Sequence, residues 1–167
     1  SCENGHCFDI AKEGYVNLVP VQNKKSRSPG DNAEMTLSRR AFLSAGYYHS
    51  PKKTLHEWTH REPFEHGLDL GCGEGYYLEG LNSLNNAASN DADASISKSF
   101  SFSACDLSKA AVRLAAKRLK QHPCAVGNAF SLPYFDNSFD ITWSVFSPYS
   151  PDELLRVLKP QGRFILI

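Results

Sequence analysis

A glycine-rich segment, Leu68 to Tyr77 with the sequence LDLGCGEGYY, constrains the fold more than any other stretch of the chain. The run HGLDL has the length and composition of a short buried strand, and the glycines followed by YYLEGLNSL are typical of a turn that opens into a helix. Glycine tolerates positive φ and lets a ligand approach the backbone closely. The segment therefore predicts a strand, a ligand-binding turn and a helix that begins near Glu74.

The spacing of Gly71, Gly73 and Gly75 separates two classes of ligand. A dinucleotide motif runs Gly-x-Gly-x-x-Gly with an acid about 20 residues further on, whereas the next acid that closes an apolar stretch here is the more distant Asp106. Asp69 before the glycines, with Asp106 ending the next strand, resembles the S-adenosylmethionine site of Rossmann-like methyltransferases. That resemblance implies that the turn contacts the methionine part and that Asp106 holds the ribose hydroxyls. A tight turn without a ligand is the alternative.

Strands and helices are predicted to alternate through the rest of the chain. We predict helices over 33–45, 51–60, 109–121 (capped by Ser108) and PDELLRVL, and strands at HGLDL, FSFSACD, CAVGNA, SFDITWSVF and RFILI. Residues 85–99 have almost no bulky apolar side chains and are predicted to form an exposed flexible insert. Such alternation indicates an α/β fold, a doubly wound and mostly parallel sheet with its ligand at the carboxyl ends of the strands.

Composition excludes several classes of protein. With 167 residues, 41% of them hydrophobic, the chain can build one domain core and a small appendage. No apolar run has membrane-spanning length and no signal peptide is recognisable, and five scattered cysteines favour free thiols. We therefore expect a cytoplasmic protein without a membrane partner. Residues 1–61 carry three more basic than acidic side chains and residues 62–167 three fewer, which weakly favours the front half as a nucleic-acid surface.

Several segments together resemble one family. FDIAKEGYVNLVPVQ, SRSPGDNAEM, RRAFLSAGYY, LDLGCGEGYY and LRVLKPQGR are similar to the 23S ribosomal RNA guanine-N1 methyltransferases of the RlmA type. The resemblance implies a Rossmann-like class I methyltransferase domain behind a small N-terminal zinc module with four ligands. We expect residues 1–30 to be the remnant of that zinc-binding RNA-recognition module with a basic linker. Residues 31–167 would be the methyltransferase domain.

The resemblance also implies a structural zinc ion in the intact protein. Cys2 and His6 match the second ligand pair, Cys-x3-His, while the first pair, Cys-x-x-Cys, is absent and Cys7 departs from the pattern. A structural zinc takes four Cys or His ligands. Because the sequence starts at Ser1 and stops within FILI, we expect a chain truncated at both ends that lacks a complete zinc site.

Further site residues follow from the same resemblance. Tyr48, Tyr77 and Leu78 are expected to contact S-adenosylmethionine, and Asn128 with Ala129 to contact its adenine. Phe146, Pro148 and Tyr149 follow the fourth predicted strand, where many base methyltransferases hold the target ring. Tyr149 is the stacking candidate, with a simple Pro-Tyr turn as the alternative. Lys24, Lys25, Arg27, Arg39 and Arg40 suit phosphate contacts, with a solvated linker and helix face as the alternative.

The expected activity is methyl transfer from S-adenosylmethionine to N1 of a guanine in a 23S ribosomal RNA hairpin. The sequence does not identify the base that accepts the N1 proton. Asp69 and Asp106 have cofactor roles, and Asp136 and Asp140 also fit a role in turn geometry. Two other functions stay open: a small-molecule methyltransferase acting on a quinone or metabolite, and a non-catalytic RNA-binding or assembly protein. The sequence leaves the oligomeric state open, with a homodimer as one assembly.

Overall fold

A six-stranded parallel sheet forms the centre of the molecule. The computed structural model describes residues 7–19, 30–59, 61–81 and 100–167. The strands are β1 (Tyr15–Asn17), β2 (His66–Leu70), β3 (Ser101–Asp106), β4 (Cys124–Val126), β5 (Phe139–Ser144) and β6 (Leu158–Leu166). Their spatial order is β1-β4-β3-β2-β5-β6, and every neighbouring pair is parallel. The predicted α/β class and doubly wound sheet are confirmed.

The order of the strands reverses direction at β2. From β2 the chain builds outward through β3 and β4, and it then returns to the other side of β2 with β5 and β6. Asp69 on β2 is in register with Ala104 on β3 and with Trp143 on β5. In open parallel sheets ligands bind at the carboxyl ends of the strands next to such a reversal, so the turn after β2 lies at the expected binding edge.

Helices cover both faces of the sheet. They are α1 (Ala33–Ser44), α2 (His49–Thr59), α3 (Lys109–Arg118) and α4 (Pro151–Val157). One core cluster joins Leu55 of α2 and Val112 of α3 to Trp143, and the other joins Leu154 of α4 to Leu68. A strand buried on both faces is continuously apolar rather than alternating, which explains the run HGLDL. In the described ranges no helix is long and apolar enough to cross a membrane.

Side-chain caps fix where the helices start. Asn32 Oδ1 accepts a hydrogen bond from Met35 N at 2.9 Å before α1, and Ser108 Oγ accepts one from Ala111 N at 3.1 Å before α3. Such caps satisfy N–H groups that have no partner within the helix. Ser108 Oγ also donates to Asp31 O at 2.5 Å, which ties the start of α3 to the loop before α1. The predicted cap at Ser108 is confirmed.

Three local features differ from the sequence expectation. The helix predicted from Glu74 is replaced by consecutive turns as far as Gly80, because Gly75 and Gly80 adopt φ values of +83° and +89°. Tyr15–Asn17, within the segment assigned to the zinc module, forms an edge strand beside β4. The last strand starts at Leu158 instead of Arg163 and contains an irregularity at Gln161, where φ is +66°. The division of the chain at residue 30 stays a prediction, and the predicted insert 85–99 lies outside the described residues.

Candidate cofactor site

The three glycines of the turn after β2 have different surroundings. All three have positive φ. A Cβ at Gly71 would overlap the side chain of Ser147, and one at Gly75 would lie 3.0 Å from Leu119 Cδ1. A Cβ at Gly73 would meet nothing within 4 Å. Gly71 and Gly75 thus permit close packing within the protein, whereas Gly73 opens towards empty space where a ligand can approach its backbone.

Asp106 lies at the carboxyl end of β3 and faces this turn. Its Oδ2 accepts a hydrogen bond from Gly73 N at 2.9 Å, and its Oδ1 accepts one from Ser108 N at 2.7 Å. Burial raises the pKa of Asp106, and these two backbone N–H donors partly oppose the increase. A carboxylate oxygen can accept more than one hydrogen bond. Asp106 is therefore oriented by the backbone and keeps acceptor capacity for a ligand.

A cavity of about 260 Å³ lies above Asp106. Leu107, Asn128, Ala129 and Phe130 form part of its wall, and Gly71 and Gly73 contribute the turn. Asn128 Oδ1 accepts a hydrogen bond from Phe130 N at 3.0 Å, so the amide nitrogen is the part of this side chain left to donate. The structure thus brings Asp106, Asn128 and Ala129, predicted from separate strand ends, to one cavity.

A second cavity, of about 460 Å³, lies on the other side of the glycine turn. It shares Gly71, Gly73 and Phe146 with the first cavity and is largely aromatic; its wall also includes Phe42, Tyr48, Tyr76 and Tyr77. Tyr77 O lies 2.9 Å from His56 Nε2 of α2. Burial raises the pKa of Tyr77 to about 12, so its hydroxyl stays neutral near pH 7. The predicted residues Tyr48 and Tyr77 are therefore together in a cavity separate from Asp106.

Asp69 and Leu78 line neither of these cavities. Leu78 is 2% exposed and belongs to the core cluster that packs against α3. Asp69 is 1% exposed, and its Oδ2 has no hydrogen-bond partner among the described residues. Trp143 is its neighbour on β5, and its indole N–H partly opposes the rise in the pKa of the Asp69 carboxyl. Burial, and secondarily the charge of Asp106, raises the pKa of Asp69 to about 8. Direct contacts of Asp69 and Leu78 with a cofactor stay predictions.

The residues after β5 occupy different environments. Tyr149 packs against Phe164 with ring centroids 5.0 Å apart, beside the core cluster of α4, and lines neither cavity. Phe146 is 61% exposed, adopts a φ of +51° and lines both cavities. Its ring meets Tyr48 edge to face, with centroids 5.4 Å apart. Positive φ is rare outside glycine and concentrates at functional sites. Phe146 is thus the aromatic residue of this loop that faces the site.

A buried carboxylate in the glycine turn was not singled out by the sequence. The Glu74 side chain is 1% exposed, lines the second cavity, and pairs with Arg118 of α3 at 2.8 Å. Arg40 of α1 lies 3.6 Å from its other oxygen, Oε2. Burial raises the pKa of Glu74, and the two arginines oppose the increase. Because Glu74 and Arg118 are 44 residues apart, no local pattern reveals the pair.

Basic and acidic residues left open by the sequence have structural partners. Arg39 lines both cavities and pairs with Asp31 at 2.8 Å, so it lies at the site, not on a remote helix face. Asp136 accepts a hydrogen bond from Arg156 Nη1 at 2.9 Å. Asp140 accepts hydrogen bonds from the backbone N–H groups of residues 65 and 66 and from Lys159. Both acids therefore support turn and strand geometry.

The predicted metal ligands Cys2 and His6 lie outside the described residues, as do Lys24, Lys25 and Arg27. Cys7 is exposed. Within the described part of the chain no group of three or more His, Cys, Asp or Glu side chains could hold a metal ion. Zinc binding through Cys2 and His6 thus stays a prediction.

S-adenosylmethionine fits the chemistry of the residues around the turn. The open backbone at Gly73 leaves room for a ligand, the oriented carboxylate of Asp106 suits a ribose diol, and the apolar wall at Leu107 and Ala129 suits a flat ring. Bare backbone, an acid and an apolar slot at the carboxyl edge of a parallel sheet are the features expected of a nucleoside site.

Comparison with known proteins gives the same assignment. A methyltransferase-domain model matches residues 68–166, and a zinc-ribbon model described as the N-terminal part of RlmA matches residues 1–27. A Streptomyces fradiae protein named 23S rRNA (guanine(748)-N(1))-methyltransferase is 31% identical over 99% of this chain and 56% of its own length. A demethylmenaquinone methyltransferase of Symbiobacterium thermophilum is 30% identical over 81% of this chain and 55% of its own length.

A solved structure shows a related fold. The crystal structure of a Pyrococcus horikoshii protein superposes with a TM-score of 0.56 and 26% identity, covering 71% of this chain and 57% of that one. The chain spans about half the length of the curated relatives it matches. The methyltransferase model covers more than half of the chain and the RlmA model covers its front. The chain therefore belongs to the S-adenosylmethionine-dependent methyltransferases, in the family of the RlmA type.

Proposed function

We propose that this protein transfers a methyl group from S-adenosylmethionine to N1 of one guanine in a hairpin of 23S ribosomal RNA. The observation that carries the proposal is similarity over 99% of the chain to a protein named for that reaction, together with the RlmA-type front segment. A general methyltransferase core would account for residues 68–166 alone. It would not account for the match at residues 1–27.

In this proposal the first cavity holds the nucleoside end of the cofactor. Asp106 accepts hydrogen bonds from the ribose hydroxyls while Gly73 N and Ser108 N fix its orientation. Asn128 and Ala129 border the adenine, with the side-chain amide of Asn128 as donor. The methionine end lies along Gly71 and Gly73 towards the second cavity, which shares both glycines and contains Tyr48 and Tyr77.

The residues around the second cavity then position the guanine. Bound S-adenosylmethionine supplies an electrophilic methyl group, so alignment of the attacking nitrogen with the S–CH₃ bond is the main requirement on the protein. The transfer forms an N1–CH₃ bond, breaks the S–CH₃ bond and releases the N1 proton to solvent or a nearby acceptor. Because N1 lies on the Watson–Crick edge, the base must leave any pairing before it enters the site.

Phe146 is the residue that we expect to stack on the target guanine. It is exposed, lies at the junction of the two cavities, and is held at its edge by Tyr48. Its backbone N donates to Ile167 O at 3.0 Å, which fixes the loop that presents the ring. Tyr149 has already packed its ring against Phe164. Stacking of a base on an aromatic side chain contributes about 1–3 kcal/mol.

Substitution of the two aromatic residues tests this assignment. Phe146→Leu should reduce methylation of RNA roughly 5- to 150-fold, the loss expected from one stacking contact. Cofactor affinity, measured by calorimetry, should fall less, although Phe146 also lines the first cavity. Tyr149→Leu is the matched control and should act mainly on thermal stability. The reverse result, with RNA methylation impaired only in the Tyr149 variant and the fold intact, assigns stacking to Tyr149.

Zinc is the second proposed cofactor. We propose that Cys2 and His6 are two of four ligands of a structural zinc ion in the intact protein, because residues 1–27 match the zinc-ribbon model. Elemental analysis of the intact protein should give one zinc per chain, and Cys2→Ser should lower that content. Equal, stoichiometric zinc in both proteins removes Cys2 from the ligand set.

Primer extension on ribosomal RNA tests the reaction itself. Methylation at N1 blocks base pairing and stops reverse transcription, so a strain without the gene should lose one stop in 23S ribosomal RNA. Purified protein with cofactor should restore that stop on naked RNA or on an assembly intermediate. Similarity to a demethylmenaquinone methyltransferase supports a small-molecule acceptor as the second candidate. A stop that persists in the deletion strain, together with turnover of a quinone, overturns the RNA proposal in favour of that candidate.

A further inference from the structure

Helix α3 carries a row of basic side chains on its exposed side. Lys109, Arg113 and Lys117 are spaced four residues apart, and Lys120 follows just after the helix; all four are exposed. Residues four apart lie on the same side of a helix, about 6 Å apart along its axis. The opposite side of α3 is apolar and packs in the core through Val112, among others. The row is therefore the solvent side of the helix.

A groove of about 520 Å³ runs beside this row. Its walls come from two distant parts of the chain: the turn at Lys12 to Gly14 before β1, and the second half of α3 with the segment that follows. Arg113 Nε donates to Glu13 Oε1 at 2.8 Å, which joins the two walls. A concave surface built by both the front segment and the methyltransferase core can contact one ligand from two sides.

The groove concentrates positive charge in a chain of zero net charge. Lys12, Arg113, Lys117 and Lys120 line it, against the single carboxylate of Glu13. Burial lowers the pKa of His122, so this wall residue adds no charge at pH 7. In the described ranges no acidic side chain forms an ion pair with Lys117 or Lys120. These two cations are therefore available to an external anion.

The groove and the cofactor site lie at opposite ends of α3. Ser108, which caps the helix, lines the first cavity, whereas Lys117 lines the groove. Ten helical residues span about 15 Å. A ligand that occupies both places must be long as well as anionic. A sugar-phosphate backbone meets both conditions, since it presents one negative charge per nucleotide along an extended path.

We infer that the groove between α3 and the Lys12–Gly14 turn binds the sugar-phosphate backbone of the RNA substrate, with Lys117 and Lys120 as its main phosphate contacts. The inference rests on the proposed function. Contacts of this kind position a nucleic acid without reading its sequence, so the groove would orient the hairpin while the aromatic cavity receives the base. A purely structural role for the lysines, as cations near the end of α3, predicts a change in stability but none in RNA affinity.

The salt dependence of RNA binding distinguishes phosphate contacts from a purely structural role for the two lysines. The protein, with a labelled transcript of the hairpin that contains the mapped stop, is titrated at 50 to 300 mM salt for wild type, Lys117→Gln/Lys120→Gln and Lys53→Gln. Lys53 is an exposed helix lysine whose charge already faces Glu57 at 3.7 Å, which makes it a matched control. Each lost phosphate contact lowers the slope of log K against log salt by about 0.7–0.9.

We expect the double variant to bind RNA roughly 10- to 50-fold more weakly at 0.1 M salt and to flatten the slope by about 1.4–1.8. Lys53→Gln should change neither quantity, and all three proteins should bind S-adenosylmethionine equally. Wild type that binds and methylates RNA, with a double variant of unchanged slope and affinity, overturns the inference alone. Wild type that binds the cofactor but no RNA overturns the proposed function and the inference with it.

Discussion

The two concave regions joined by α3 are built in different ways. At the start of the helix, the candidate cofactor site uses backbone: open glycine, N–H donors and a carboxylate that those donors orient. At its end, the basic groove uses the exposed side chains of Lys12, Arg113, Lys117 and Lys120. Backbone sites depend on φ values that few residues adopt, whereas lysine contacts tolerate movement of long, flexible chains. The first region is therefore suited to a ligand of one geometry, and the second to a polymer of variable path.

An ion pair joins the glycine turn of the candidate cofactor site to α3, the helix that borders both the site and the groove. Glu74 in the turn accepts a hydrogen bond from Arg118 near the end of α3 at 2.8 Å, and both side chains are largely buried. The residues on either side of Arg118 face opposite ways: Lys117 lines the groove, and Leu119 lies against Gly75. Predictions that separate the two regions can thus start from this pair.

Loss of Glu74 should give the largest effect on stability. Glu74→Gln leaves Arg118, 12% exposed, with the more distant, half-exposed carboxylate of Glu79 at 3.6 Å, and removal of one partner of a buried pair costs up to roughly 3–5 kcal/mol. Urea unfolding measures the change. Glu57→Gln, which breaks the exposed pair with Lys53, should cost about 1 kcal/mol or less. Equal losses in the two variants mean that the Glu74 pair does not anchor the turn.

The buried acid beneath the turn should make stability depend on pH. Because the pKa of Asp69 is raised from 3.8 to about 8, the folded state keeps a proton that the unfolded state releases above about pH 4. Wild type should therefore lose stability relative to Asp69→Asn as the pH rises from 5 to 8, by up to about 1.4 kcal/mol per pH unit. Urea unfolding of both proteins without cofactor at three pH values measures it. Parallel profiles show that Asp69 is ionised when folded.

Asp106 should affect the cofactor more than the fold. Asp106→Ala removes the expected acceptor for the ribose hydroxyls, and hydrogen bonds to a charged group contribute roughly 1.5–3 kcal/mol, or about 10- to 150-fold in affinity. Calorimetry with S-adenosylmethionine and its demethylated product measures the loss. Asp152→Ala, an exposed acid in the first turn of α4, is the control. A folded Asp106 variant that binds both ligands like wild type refutes the ribose role.

The contrast between a site built from backbone and a groove built from side chains also explains which features the sequence could predict. Strands, the doubly wound sheet, the cap at Ser108 and the meeting of Asp106 with Asn128 follow from local signals: apolar runs, glycine spacing and residues that follow strand ends. Because parallel strands end at one edge, local signals sufficed to place residues from separate strands in one cavity. The backbone-built region was therefore largely readable from the sequence.

The basic groove could not be predicted from local signals. Charge counted along the chain favours the front half, yet the groove combines Lys12 from that half with Lys117 and Lys120 from the acidic half. The same holds for one residue beside the candidate cofactor site. The choice between Phe146 and Tyr149 depends on a φ of +51° at Phe146, a property of the folded loop that the neighbouring residues do not predict. Both features arise from tertiary packing, which has no signature at short spacing.

Two glycines provide the smallest and most direct test of the contrast. Gly73 in the cofactor site and Gly14 beside the groove have φ values of +54° and +92°, and a Cβ at either would meet nothing within 4 Å. Alanine at positive φ costs roughly 1–2 kcal/mol, so both Gly73→Ala and Gly14→Ala should lower the unfolding free energy, and Gly14→Ala by at least as much because its φ lies beyond the left-handed region open to other residues. At Gly73 the added methyl also enters the space for the cofactor, and calorimetry should show about tenfold weaker binding, or about 1.4 kcal/mol. Gly14→Ala should leave cofactor affinity unchanged, because Gly14 lines the groove and neither cavity of the candidate cofactor site. Equal cofactor affinity in both variants would mean that the open space at Gly73 is not where the ligand lies, and the assignment of the turn as a close-contact backbone site would be wrong.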